Sequence, residues 1–178
     1  MGFTSLKQYP LVQTTFLKII AIAMAFTLMA CSPKFNWREV RGVDAPFTVL
    51  LPAKPASISR ETEMSGVKLR MQMTAADAGS ISFAVGYTKV DDPAQYAGVL
   101  AAMKAGMLKN IQASSSKPLN GSATDIEATG QLQNGQAVKL VGRFVEHGGW
   151  VYQLIVIGKE SDLTPLVIDT FLTSFKAS

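Results

Sequence analysis

Val67, Leu69, Met71 and Met73 fall on one side of an extended chain, and Lys68, Arg70 and Gln72 fall on the other. This period of two constrains the fold more than any other feature of the sequence. A helix would scatter those apolar residues around its circumference, whereas a strand lines them up on one face. The segment therefore reads as a half-buried strand that needs partners at its edges and a layer over its apolar face. Ile81, Phe83, Val85 and Tyr87 repeat the pattern against Ser80, Ser82, Ala84, Gly86 and Thr88, after a turn at Asp77-Ala78-Gly79. On the other side, Ser65-Gly66 turns the chain from a more polar strand over residues 58–64. Successive hairpin-spaced strands predict an antiparallel meander. Upstream, Phe47, Val49 and Leu51 alternate before Pro52 stops the strand, and residues 37–41 predict a short edge strand.

The period changes at Asp91-Asp92-Pro93. Asp92 predicts an N-cap, Pro93 suits the first helical position, and Gln95 sits where a capping box wants it. Tyr96, Val99, Leu100, Met103, Met107, Leu108 and Ile111 then recur at helical spacing, so a helix over about residues 93–112 should lay one apolar stripe on the sheet. Residues 113–121 read as a loop. Strand character resumes over residues 125–132, and Asn134-Gly135 marks a hairpin because both residues tolerate positive φ. Val138, Leu140, Gly142 and Phe144 alternate against Lys139 and Arg143. After a turn at His147-Gly148-Gly149, residues 150–157 are almost continuously apolar, which predicts a central strand covered on both faces. Ser161-Asp162 predicts the cap of a last helix with Pro165 in its first turn. Leu163, Leu166, Val167, Ile168, Phe171 and Phe175 supply its apolar face. The expected class is α+β: an antiparallel sheet of about six to eight strands with two main helices packed on it.

The N-terminus reads as an address. Residues 1–18 carry Lys7 and Lys18 and no acidic residue, and an apolar run follows over residues 19–30. Twelve residues at 1.5 Å each reach about 18 Å, too short for a hydrocarbon core of about 30 Å. A charged start, a short apolar run and small residues at its end describe a secretory signal. The run closes on Leu28-Met29-Ala30-Cys31, which resembles a bacterial lipobox. The resemblance implies cleavage between Ala30 and Cys31, a thioether-linked diacylglycerol on Cys31 and acylation, such as palmitate, of the new N-terminus. One acyl chain gives marginal membrane binding and several give a firm anchor. Ser32 after the cysteine resembles the outer-membrane sorting pattern, so the protein is expected on the inner leaflet of the outer membrane, facing the periplasm. The organisation expected is a signal peptide at 1–30, a lipidated tether at 31–36 and a single domain at 37–178.

Composition narrows the function further. The chain of 178 residues has 17 Lys+Arg against 13 Asp+Glu. Loss of residues 1–30 removes Lys7 and Lys18 and no acid, leaving 15 against 13. No basic stripe remains to displace counterions, so nucleic acid is not an expected partner. The single cysteine is assigned to lipid, and the single histidine leaves no His-rich metal site.

A short strand ending in Pro (Phe47-Thr-Val-Leu-Leu-Pro52) comes first; polar-faced strands, a long helix and a Gly-marked hairpin pair follow. An apolar strand near Trp150-Val-Tyr-Gln-Leu154 and a last helix closing with Phe171-Leu-Thr-Ser-Phe175-Lys176 complete the order. This order is similar to the PsbP-like superfamily, which includes the DcrB-type bacterial lipoproteins and a nuclear Ran-binding factor. The resemblance covers nearly all of residues 37–176. It implies a central antiparallel sheet carrying helices, an accessory or binding role, and no cofactor.

Few residues suggest chemistry. His147 is the one available imidazole and lies beside two glycines; catalysis there needs a carboxylate folded against it. Glu61 and Glu63 share one face of a strand, an arrangement that serves acid–base work or cation binding but is commonly solvated. Asp91 and Asp92 read as helix capping rather than a cation site. Arg60, Lys68, Lys139 and Arg143 read as solvated sheet faces, with a groove for an anionic ligand as the sharper alternative. Ser114, Ser115 and Ser116 have no base nearby in sequence, and Met73, Met103 and Met107 read as packing rather than copper ligands. Trp37 and Trp150 are candidates for a binding rim. The expectation is a non-catalytic envelope lipoprotein that binds a protein partner and holds no metal or cofactor. Its alternatives are a carrier of a small or lipidic ligand, bound between sheet and long helix, and a hydrolytic enzyme using His147 or the Glu61/Glu63 pair.

Overall fold

The structure is a computed structural model that describes residues 34–178. Ala30 and Cys31, with the cleavage and lipidation expected there, lie outside the described residues. The fold is α+β. Strands β1 (Arg38–Arg41), β2 (Phe47–Leu51), β3 (Ala56–Met64), β4 (Val67–Ala78) and β5 (Ile81–Lys89) precede helix α1 (Tyr96–Asn110). Strands β6 (Ser115–Pro118), β7 (Asp125–Gln131), β8 (Ala137–His147) and β9 (Trp150–Gly158) follow, then helix α2 (Pro165–Ser174) and strand β10 (Lys176–Ala177).

Seven strands form one antiparallel sheet in the order β3-β4-β5-β9-β8-β7-β6. It joins two meanders, β3-β4-β5 and β7-β8-β9, through the β5–β9 pairing. The apolar run of β9 thus takes the central place expected of it. Both its faces are buried: Tyr152, Leu154 and Val156 look one way, and Val151 and Ile155 the other.

The first face also carries Ala76 and Ala78 of β4 and Ile81, Phe83, Val85 and Tyr87 of β5. It is covered by α2, through Val167, Ile168, Phe171 and Leu172, and by a three-stranded sheet, β1-β2-β10. The second face carries Leu69, Met71, Leu140, Phe144 and Ile155, and α1 covers it with Val99 and Met103.

Several local expectations need correction. The strands do not all join one sheet: β1 and β2 pair with each other and with β10 in a separate small sheet. The chain leaves the helix after Ser174 because the Phe175 ring is drawn between Phe47, at 5.8 Å, and Tyr152, at 5.2 Å. Residues 115–118 are a strand, not a loop: all four are exposed, so no alternation betrays an edge strand held by backbone pairing to β7. The β4–β5 turn lies at Gly79-Ser80, with Asp77 and Ala78 still in the ladder.

Caps differ as well. The Asp92 carboxylate accepts from the Ala94 N–H, but Pro93–Gln95 is a 3₁₀ turn and α1 proper starts at Tyr96. Thr164, not Ser161-Asp162, caps α2, and Pro165 does occupy its first turn. Leu166, expected on the apolar face of α2, is 76% exposed, and Leu172 is buried in its place. Of the Asn134-Gly135 pair only Gly135 takes positive φ; the Asn134 side chain instead accepts from the Gln136 N–H.

Candidate functional site

β6, β7 and β8 turn polar side chains toward the same face of the sheet as α2, beyond the area that α2 and the small sheet cover. Register sets this arrangement. Lys117 of β6 stands opposite Glu127 of β7, and Thr129 of β7 stands opposite both Ser115 of β6 and Lys139 of β8. The outcome is a ladder of alternating charge. Lys117 Nζ is 2.8 Å from Glu127 Oε1, Lys139 Nζ is 3.2 Å from Glu127 Oε2, and Lys139 also reaches Glu160 Oε1 at 3.6 Å. Ser115 Oγ and Thr129 Oγ1 share a hydrogen bond of 2.7 Å. A cleft of about 210 Å³ opens over Ser115, Lys117, Glu127, Lys139 and Glu160. A larger one of about 490 Å³, sharing Thr129 and Glu160, runs past Gln112, Ser114 and Gln131 toward the end of α1. There the Gln131 N–H donates to the Ile111 carbonyl at 2.6 Å, an approach that only a glycine at 130 leaves room for.

Electrostatics fix the protonation of this ladder. The hydrogen bond from Lys117 holds the Glu127 carboxyl below its ordinary range against the opposing pull of burial, and Lys139 adds to it. The same bond raises the Lys117 ammonium. A carboxylate whose pKa is lowered is a weak base and an ammonium whose pKa is raised is a weak acid, so neither is tuned to exchange a proton near neutral pH. The arrangement suits polar recognition and scaffolding better than proton transfer.

The neighbouring pair on the same face is tighter. Arg143 Nε and Nη2 donate to Asp125 Oδ1 and Oδ2 at 2.8 and 2.7 Å, a two-point bond between β8 and β7. Arg143 Nη1 donates to the Leu172 carbonyl at 2.8 Å, serving the last turn of α2. The guanidinium lowers the Asp125 pKa and Asp125 raises that of Arg143, each opposed by burial. Lys139 and Arg143 are therefore partly buried and paired, not solvated as expected. Their partners Asp125, Glu127 and Glu160, and Lys117 beyond Glu127, carried no signal in sequence because each becomes meaningful only through a neighbour on another strand or turn.

The other candidates are dispersed. Trp37 stacks on Phe35 at 5.5 Å and meets the Phe83 ring edge-on at 5.5 Å. Trp150 tilts over Tyr87 at 6.1 Å. Phe83 and Tyr87 are four residues apart on β5, so the two indoles pack against positions about 13 Å apart along the strand. Phe35 and Asn36, assigned to the tether by sequence, belong to the fold: the Asn36 N–H donates to the Pro52 carbonyl at 2.8 Å.

His147 ends β8, exposed, opposite Trp150. Glu61 and Glu63 lie exposed on β3, opposite Arg70 and Lys68. Arg60 is exposed opposite Met71. Asp91 is exposed, and Asp92 spends its carboxylate on the turn before α1. Ser114 and Ser115 bond to Thr129, and Ser116 faces solvent. Met103 of α1 is buried against the sheet and Met107 packs partly buried beside it, while Met73 on β4 is partly buried. Among the described residues no group of three His, Cys, Asp or Glu side chains is placed to hold a metal ion, and no helix is long and apolar enough to cross a membrane.

Compared with protein-family models and with curated proteins, the chain matches none.

Proposed function

We propose that this chain is a lipid-anchored protein of the bacterial cell envelope whose domain is a non-catalytic accessory or partner-binding module. The observation that carries the reading is Leu28-Met29-Ala30-Cys31, set directly behind a short apolar run and directly before a folded domain that starts at Lys34. The PsbP-like resemblance supports the accessory role. So does the arrangement of charges, with Glu127 ionised between two lysines and Asp125 engaged by Arg143. Ser32 supports a place on the inner leaflet of the outer membrane.

The test is mass spectrometry of protein extracted from membranes, with in-cell crosslinking on the same preparation. The expected result is a polypeptide starting at Cys31 with diacylglycerol and acyl mass, and a reproducible crosslinked envelope protein. Cys31→Ala should abolish palmitate labelling. An unlipidated chain with no partner overturns the proposal.

A further inference from the structure

The domain has two unlike ends, and the chain enters at one of them. Lys34 packs beside the Gly79-Ser80 turn. That turn shares its end of the sheet with Gly158, with the β7–β8 hairpin and with the last turn of α1, as the Lys139–Gly158 register and the bond from Gln131 to Ile111 require. The opposite end holds the Ser65-Gly66 and Gly148-Gly149 turns and the start of α1.

Charge is divided between these ends. The entry end carries Lys34, Lys54, Lys109 and Lys159, all exposed and none in an ion pair described above. Its acids are Asp77, Glu160, which Lys139 engages, and Asp162, which accepts from Ser80 and is also attracted by Lys34 and Lys159. Leu166, 76% exposed, projects from the first turn of α2 just beyond Asp162. At the far end Asp44, Glu61, Glu63, Asp91, Asp92 and Glu146 outnumber Lys68, Arg70 and Lys89.

We propose that the entry end is a membrane-contacting surface, in which Lys34, Lys54, Lys109 and Lys159 meet anionic lipid headgroups and stand the seven-stranded sheet end-on to the bilayer. The inference rests on the lipid-anchor reading. Only Ser32 and Pro33 separate Cys31 from Lys34, and three extended steps span at most about 11 Å. An acylated Cys31 therefore leaves this end of the domain no more than a side chain or two from the headgroups. Each lysine held near an anionic surface favours the contact about fivefold, and the effect fades within a Debye length. The acidic far end, with Trp150 near it, then faces outward to partners.

The test uses the membrane-extracted protein in nanodiscs of phosphatidylcholine with or without phosphatidylglycerol. Reporter cysteines replace exposed residues at the two ends of β8, Gln133→Cys in the hairpin and His147→Cys, which stand about 33 Å apart or more along the strand. Each carries a fluorophore read against lipids bearing a quencher. Quenching at 133 should exceed quenching at 147 several-fold in phosphatidylglycerol. The contrast should shrink, to the smaller difference that the short tether imposes by itself, in high salt, in phosphatidylcholine alone, and in a Lys34→Glu, Lys109→Glu, Lys159→Glu variant whose circular dichroism is unchanged. Equal quenching at both sites, or a contrast that salt, lipid charge and the charge reversals leave unchanged, in protein that mass spectrometry shows to be acylated overturns the electrostatic seat and leaves the anchor standing. Protein without acyl mass overturns both.

Discussion

The two faces of the central sheet are covered in different ways. The face under α2 and the small sheet is aromatic. Phe83 meets Phe171 at 5.3 Å and Trp37 at 5.5 Å, and Phe47 meets Tyr87 at 5.1 Å and Tyr152 at 5.9 Å, all in edge-on geometry. Its cover is assembled from β1 and β2 near the start of the described chain and from α2 and β10 at its end. The face under α1 is aliphatic and methionine-rich, and its cover is one helix that follows β5 directly in sequence. Of the residues within α1, only Val99 and Met103 are fully buried. The first face is thus closed by contacts distant in sequence, which make or break together, and the second by a local element that can lift with less loss. Amide exchange is expected to show α1 opening at lower free energy than β2, β5 or β9.

The largest way to break this comparison is to hollow each face in turn. Phe83→Ala should cost about 3–5 kcal/mol, because the ring is fully buried among aromatic neighbours. Met103→Ala should cost about 2–3 kcal/mol, at the lower end for a buried methionine, since a single helix can settle into the space. Urea denaturation of both variants reads the difference, and equal losses would remove the contrast between the faces.

Arg143→Ala follows at about 2–3 kcal/mol, because it strands the largely buried Asp125 carboxylate and leaves the Leu172 carbonyl in the last turn of α2 without its donor. A double variant that also carries Asp125→Ala should lose less than the sum of the two single changes.

The same pair governs the acid limb. The folded-state pKa of Asp125 lies below its unfolded value of about 3.9, so its contribution is present above that pH and fades as pH falls through the folded value. Asp125→Asn should flatten stability against pH below about pH 4, measured by urea midpoints across the acid range.

Tyr152→Phe is the smallest effect and tests the quality of the aromatic face. The Tyr152 hydroxyl is buried without a hydrogen-bond partner, and burial pushes its pKa up to about 12. Removing it should leave stability unchanged or raise it by up to about 1 kcal/mol. At alkaline pH the sign is definite. The unfolded tyrosine loses its proton near pH 10 while the folded one resists to about 12, so this residue's share of stability falls between those values and the phenylalanine variant escapes the loss.

Legibility in the sequence follows the same divide between local and distant contacts. The β3–β4–β5 meander was readable because alternation is written within each strand and the turns carry Ser65-Gly66 and Gly79. β6 was not, since Ser115, Ser116, Lys117 and Pro118 have no buried side to imprint a period. The charge ladder was not, since Lys139 and Glu127 sit twelve residues apart and meet through register alone.

Sequence by itself therefore determined the α+β class, the central place of β9 and the two helices, because burial on one or both faces dictates which residue types recur at which period. Tertiary structure alone decided that β1 and β2 leave the main sheet to pair with β10, and that Arg143 spends its charge on Asp125 and the end of α2. It also decided that basic residues scattered from 34 to 159 gather at one end. Each of these depends on which strands pair and in what register, and the energy that selects a pairing lies in contacts between residues far apart in the chain.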